Sequence, residues 1–358
     1  MAGGSDARDL DYANISTGVL PPAEQVQALV DEAYRRFLPV SEGANATVYP
    51  ALERADPNRF GVCIVGAGGA TFEAGDTRTE FTIMSVVKPF VFALVCEELG
   101  PEEAHRLIGV NATGMPFNSL SAVERGAGGR TNPMVNSGAI ATTSLVPGAS
   151  ADEKWAAILR VLSGFAGRDL AVDEEVYASA IATNHRNQAI ARLLEAVDAI
   201  YWDPAETVDL YTRQCSLGVT ATDLAVMGAT LASGGVNPLT GQRVVATVTC
   251  HDVLAVMAIA GLYETSGDWL YKVGLPGKSG IGGGIVTVSP GKGGLATYST
   301  PLDGAGNSVR GQLVAHLLSR RLGLDLFVSS RPAFVSWPGP QDDESGRRAS
   351  SATSTPHS

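Results

Sequence analysis

The chain has 358 residues, 45% of them apolar, which is enough to bury a substantial core and excludes a disordered or fibrous protein. Its formal net charge of −11 is spread along the sequence rather than gathered into a block. That argues against a nucleic-acid backbone as the partner and favours small-molecule chemistry.

Residues 1–20 are rich in Gly, Ser and Asp and contain no apolar core of a signal peptide, so no export signal is expected and they read as a loose leader. Pro21-Pro22 then introduces an amphipathic helix, Ala23 to Phe37, with Val26, Leu29, Val30 and Ala33 on one face. Phe60 to Val65 and Ala70 to Phe72 are β-prone runs joined by Gly66-Ala67-Gly68-Gly69, the pattern of a hairpin. A dinucleotide loop does not fit there, because position 71 is Thr where G-x-G-x-x-G needs glycine.

A strand-like stretch, Glu80 to Met84, leads into a mainly helical region. Its segments are Val86 to Leu99, Asp152 to Phe165, Asp173 to Ala182, Gln188 to Ala199, Ala205 to Gln214, Ala221 to Ala232 and His251 to Gly261. The longest apolar run, around Pro89 to Cys96, is too short to span a bilayer. After Gly280 two short strands, Gly284 to Ser289 and Leu295 to Ser299, precede a closing helix from Ser308 to Leu322.

Strands at both ends with helices between imply an α+β unit whose antiparallel sheet is built from N- and C-terminal strands around a mainly helical insert. The expected catalytic unit spans 21–335, with a sheet lobe at about 21–84 and 270–335 and a helical lobe at about 85–269. Residues 339–358 carry almost no apolar content and read as a disordered tail. Cys63, Cys96, Cys215 and Cys250 are widely spaced with no C-x-x-C pair, which fits reduced, buried thiols in a cytoplasmic protein.

Ser85 and Lys88 stand three residues apart at a helix start and therefore share one face, a hydroxyl beside an amine able to accept its proton. Serine is a weak nucleophile without a base, and lysine serves as one only when burial or positive charge depresses its pKa. Phe81, Ile83 and Val87 supply apolar neighbours for such a pocket. Alone, S-x-x-K also describes an ordinary helix start with Ser near the cap. A second element, Lys278-Ser279-Gly280, precedes a predicted strand as K-T-G does in serine penicillin-recognising enzymes. A phosphate loop is excluded because Lys272 stands where G-x-x-x-x-G-K-[ST] needs its first glycine. Tyr263, in Gly261-Leu262-Tyr263-Glu264-Thr265-Ser266-Gly267, sits where a phenol could face the pocket.

With these motifs, stretches across roughly 43–311 resemble the glutaminase family, which shares the fold of serine β-lactamases and transpeptidases. They include Asn132-Pro133-Met134-Val135-Asn136-Ser137-Gly138, Tyr211-Thr212-Arg213-Gln214-Cys215-Ser216-Leu217, Gly234-Gly235-Val236-Asn237-Pro238, Val273-Gly274-Leu275-Pro276-Gly277-Lys278-Ser279-Gly280 and Gly306-Asn307-Ser308-Val309, in the family's order. The resemblance implies hydrolysis of the side-chain amide of L-glutamine through an ester on Ser85, without metal or organic cofactor. Lys88 and Tyr263 would transfer protons, and the backbone N–H groups of Ser85 and Ile281 would form the oxyanion hole. Asn136, Asn187 and Tyr211 match positions that hold the substrate, with Tyr263 and Ile281 beside it and Lys278 and Ser279 in support. A homodimer or homotetramer is implied by the resemblance only.

Three departures stand out. Where the family carries a glutamate that holds the substrate's amino group, the uninterrupted register from Asp173 to Asn187 places Ala180, a loss of roughly 1.5 to 3 kcal/mol of charge-assisted contact. The family tyrosine near the N-terminus aligns with Val48, with Tyr49 one step away. Asn111-Ala112-Thr113-Gly114 replaces a Glu-Pro-Ser-Gly loop. These leave two alternatives open, a related amidohydrolase acting on an amide without a free α-amino group and a non-catalytic ligand-binding descendant.

Overall fold

The computed structural model describes residues 18–328; the expected leader up to residue 17 and the expected tail at 339–358 lie outside them. Strands β1 (Gly61–Gly66) and β2 (Thr71–Gly75) form the anticipated hairpin, paired from Gly61 with Gly75 to Val65 with Thr71. Two short pieces, β3 (Phe81–Thr82) and β4 (Gly218–Val219), pair separately. Near the C-terminus β5 (Gly277–Ser279), β6 (Gly284–Ser289) and β7 (Gly293–Tyr298) follow in sequence. β7 pairs with β1, so one antiparallel sheet forms in the order β2-β1-β7-β6-β5 from the two distant parts of the chain.

β1 is buried on both faces, and its alternating side chains divide the core in two. Val62 and Ile64 pack with Val26, Leu29 and Val30 of the Ala23–Phe37 helix and with Val314 and Leu318 of the Val309–Arg321 helix. Cys63 and Val65 point the other way, into a core shared with the Ala221–Ala232 helix and the helices beyond it. Each fully buried aliphatic side chain contributes about 1.5–3 kcal/mol to holding these layers together. The helix Lys88–Leu99 runs through the centre of the second core and is buried on every side from Lys88 to Cys96.

Helix starts follow their capping residues. Ser150, Asp173 and Asp203 each accept a backbone N–H of the first turn, and Thr220 with Asp223 forms a reciprocal capping box. The structure also holds helices beyond those the sequence pattern marks, among them Pro101–Ile108, Ser121–Arg125, Asn136–Ser144 and Ser266–Val273. Asn136–Ser144 is buried all round, which removes the periodic signal.

Two boundaries differ from expectation. The strand expected over Glu80 to Met84 is reduced to Phe81–Thr82, because Met84 turns into the left-handed region at φ 45° and opens a 3-10 turn, Met84–Val87. The segment Gly277–Ser279 does not merely precede a strand; it is the edge strand of the sheet.

Gly261 closes the Thr247–Ala260 helix and ties it to that edge, its carbonyl accepting from the Ser279 N–H at 3.3 Å and from Lys278 Nζ at 2.8 Å. A Cβ there would lie 1.7 Å from the Gly277 carbonyl oxygen. Gly261→Ala is therefore expected to lower stability by about 1–3 kcal/mol, read as a shift of the urea midpoint; an unchanged midpoint would show that helix and strand are not held this closely.

Candidate active site

The 3-10 turn sets Ser85 at the mouth of a cleft between the sheet edge and the helical layer, where Tyr49, Asn136, Ala180, Asn187, Tyr211 and Ile281 also line the wall. Tyr263 reaches the same point from a second 3-10 turn, Tyr263–Thr265, and it too has a left-handed backbone, at φ 58°. Its hydroxyl donates to the Ser279 carbonyl at 3.2 Å. Since a phenol has a single proton to give, the hydrogen bond between Tyr263 and Ser85 is one in which the Ser85 hydroxyl donates to Tyr263 Oη. Burial pushes the Tyr263 phenol up to about 12, against the lowering effect of the hydrogen bonds with Ser85 and Ser279.

Lys88 is 1% exposed, and its amine is held from inside the protein. Nζ donates to Asn136 Oδ1 at 2.8 Å and to the Met134 carbonyl at 3.3 Å. Burial lowers its pKa from the ordinary 10.5 to about 7. The neighbouring Cys215 thiol, pushed up to about 11 by its own burial, is uncharged near neutrality and does little to offset that. Burial thus brings the Lys88 amine down to titrate near neutrality although it lies in a polar cradle.

The cradle extends as a directed chain of side-chain amides. Asn136 Nδ2 donates to Asn187 Oδ1 at 2.9 Å, Asn187 Nδ2 to Asn184 Oδ1 at 2.6 Å, and Asn184 Nδ2 to Thr212 Oγ1 at 2.6 Å. The Thr212 proton is committed to the Val208 carbonyl at 2.7 Å, so Thr212 must accept from Asn184. At the other end the Tyr211 hydroxyl also donates to Asn136 Oδ1, at 3.2 Å. Donors at one end and an acceptor at the other fix the orientation of all three amides.

Lys278 sits behind Tyr263, with Nζ 4.3 Å from the centre of its ring. It donates to the carbonyls of Gly261 at 2.8 Å and Ser279 at 2.6 Å. Burial holds its pKa well below the lysine range, and the Lys88 charge lowers it further. The Ser279 hydroxyl donates to Asn307 Oδ1 at 2.5 Å, bracing the strand from its other side. Phe117 packs against Tyr263 with ring centres 4.7 Å apart and planes tilted by 38°.

The backbone N–H groups of Ser85 and Ile281 meet no acceptor among the described residues. Both residues line the cleft, and Gly280, just before Ile281, packs close against the Ser85 turn, where a Cβ would lie 3.2 Å from the Ser85 nitrogen and 3.0 Å from the Ile83 carbonyl. Paired donors of this kind are what an oxyanion requires. Among the described residues no group of three or more His, Cys, Asp or Glu side chains is placed to hold a metal ion, and no helix is long and apolar enough to cross a membrane.

Of the nine residues singled out from the sequence, Ser85, Asn136, Asn187, Tyr211 and Ile281 line this cleft, while Lys88, Tyr263, Lys278 and Ser279 lie behind its wall, Lys88 bonded to Asn136 and Tyr263 to Ser279 and Ser85. The shared face of Ser85 and Lys88 is used differently from the simplest expectation, because the lysine's hydrogen bonds run to Asn136 and Met134 while the serine's runs to Tyr263. Asn184 and Thr212 were not anticipated. Asn184 carries a legible signal, an Asn at the N-cap position of the His185–Ala196 helix, three residues before Asn187. Tyr49 also reaches the cleft: it precedes the short helix Pro50–Glu53, is mostly buried and hydrogen-bonds with Asn187.

The family model described as Glutaminase matches residues 43–327. "Glutaminase 2" of Yersinia pestis is 62% identical over 320 residues, which cover 89% of this chain and 94% of that protein. A "Glutaminase" of Brucella canis is 47% identical over 86% of this chain and 97% of its own length. The solved structure of the probable glutaminase ybaS superposes with a TM-score of 0.85 at 44% identity, covering 86% of this chain and all of that one.

The depressed Lys88 pKa has a sign that stability measurements can read. An amine charged in the unfolded chain but neutral in the folded one makes the fold gain stability as pH rises from about 7 towards 10.5, and below 7 the burial cost is fully present. Lys278 acts in the same direction. Lys88→Met should therefore be more stable relative to wild type at pH 7 than at pH 9.5 in urea titrations; an advantage that does not change with pH would mean that the amine is not desolvated.

Proposed function

The chain belongs to the glutaminase family, and we propose that it hydrolyses the side-chain amide of L-glutamine to L-glutamate and ammonia with Ser85 as nucleophile. The observation that carries this assignment is the contact of the Ser85 hydroxyl with Tyr263 Oη beside the buried Lys88 amine. Two proton-transfer groups with separated pKa values serve this turn, a phenol near 12 at the Ser85 hydroxyl and an amine near 7 three residues along the chain.

In this reading Ser85 Oγ attacks the amide carbon and its proton passes to Lys88, while the protonated phenol of Tyr263 supplies a proton to the departing nitrogen. The N–H groups of Ser85 and Ile281 receive the carbonyl oxygen as it becomes negative. Water then attacks the Ser85 ester, releasing glutamate and restoring the hydroxyl. Asn136, Asn187 and Tyr211 hold the polar end of the substrate, and Lys278 and Ser279 brace Tyr263. No step calls for a metal or organic cofactor.

We also place the protein in the cytoplasm as a homodimer or homotetramer. The four cysteines, all buried and free, support a reducing compartment. The oligomer rests on the family resemblance.

Ser85→Ala is expected to reduce ammonia release from glutamine by at least ~1,000-fold with the fold intact, and Tyr263→Phe by about 10²- to 10⁴-fold. In wild type, kcat/KM should rise with pH through about 7 and then level off, because the base must be neutral. Equal turnover by Ser85→Ala would remove the serine mechanism.

A further inference from the structure

The cleft in front of Ser85 is built to receive hydrogen-bond acceptors, and this bears on which amides it takes. Among the described residues no Asp or Glu lines it, and the one charged side chain on its wall is Arg186, at the solvent edge. Arg186 is exposed and its Nε donates to the Asn118 carbonyl at 2.9 Å, which leaves the donors on the outer nitrogens of its guanidinium uncommitted to that bond.

The amide oxygens that could serve a cation are already engaged. Asn136 Oδ1 accepts from both Lys88 and Tyr211, Asn187 Oδ1 accepts from Asn136, and Asn184 Oδ1 accepts from Asn187. Each amide nitrogen in that chain carries two hydrogens, so Asn136 and Asn184 each keep one N–H beyond the bond within the chain. Ala180, 1% exposed, presents a methyl group to the same wall. A carboxylate finds donors here, whereas an ammonium loses its water without an anionic partner and with its best acceptors spent.

We propose that this site hydrolyses primary amides that carry a carboxylate but no free α-ammonium, namely N-acylated glutamine and the half-amide of the five-carbon dicarboxylic acid, about as well as it hydrolyses glutamine. The proposal rests on the glutaminase reading and extends it to the part of the substrate remote from the amide. The chemistry is unchanged: the bond from Ser85 Oγ to the amide carbon forms, the carbon–nitrogen bond breaks, and ammonia leaves with a proton from the enzyme. Water then cleaves the ester, so that amide plus water yields carboxylate plus ammonium.

The test measures ammonia release by the full-length protein from glutamine, N-acetylglutamine and glutaric acid monoamide, with Ser85→Ala as the control. The expected result is kcat/KM for the two ammonium-free amides within about tenfold of that for glutamine, because no charge-assisted contact is lost when the amino group is masked or removed. Turnover of glutamine with a loss of 100-fold or more for both analogues would overturn the proposal and leave the glutaminase assignment standing. No ammonia from any of the three amides would overturn both. In a folded Ala180→Glu variant the ratio of glutamine to N-acetylglutamine turnover should rise at least about tenfold; an unchanged ratio would show that this wall does not choose between them.

Discussion

The site depends on keeping one amine out of water. Lys88 begins a helix that is buried on every side to Cys96, so its side chain has nowhere to extend except into the protein. An isolated buried ammonium is expensive, and the structure answers with two measures. It surrounds Nζ with oxygen acceptors, Asn136 Oδ1 and the Met134 carbonyl, and it lets the proton leave near neutrality. The first measure commits Asn136, and through it Asn187, Asn184 and Thr212, to a single orientation. In the proposed mechanism, the arrangement that makes this amine usable as a base therefore also decides which groups face the cleft.

A second constraint is steric. Among the described residues three that are not glycine have a left-handed backbone, Met84, Asp198 and Tyr263, and two of these belong to the site. Such conformations cost of order 1–3 kcal/mol each and persist only where the surroundings enforce them. At Met84 the turn carries the chain from β3 into the Ser85 turn within one residue. At Tyr263 it brings the phenol back over Lys278 and Phe117, where ring contacts at 4.3 and 4.7 Å hold it. Backbone strain at both positions is offset by burial around them, and Ser85 and Tyr263 are left aimed at each other.

Much of this was legible in the sequence because it rests on local rules. The hairpin of β1 and β2, the Ala23–Phe37 helix and the capped helices follow from period and capping residue. The S-x-x-K and K-S-G elements, placed at a helix start and on a strand beside it, pointed to the face now proposed as catalytic. What local rules could not give is long-range or aperiodic. The Asn136–Ser144 helix is buried all round and has no polar face to reveal it. The hydrogen-bond chain joins residues up to 75 positions apart, and the pairing of β7 with β1 spans most of the sequence. Met84 carries no turn signature, so the shortened strand before Ser85 had no warrant in residue type.

Tyr49 shows why register arguments hold only within an element of known type. On a strand, a one-residue step from Val48 would send the tyrosine to the opposite face. Here Tyr49 is extended at φ −122° but is followed at once by the helix at Pro50, so no period of two governs the segment and both Val48 and Tyr49 border the cleft. The consequence separates two parts of the β-lactamase-like fold. Ser85, Lys88, Tyr263 and Lys278 are fixed by the meeting of the sheet edge with the central helix, and altering any of them disturbs buried contacts on both sides. Tyr49, Ala180 and Arg186 lie on the short helix ends and turns that wall the cleft, where a side chain can change without moving the sheet. In the proposed mechanism, hydrolysis is therefore held by the core of the fold, and the proposed choice of amide by its rim.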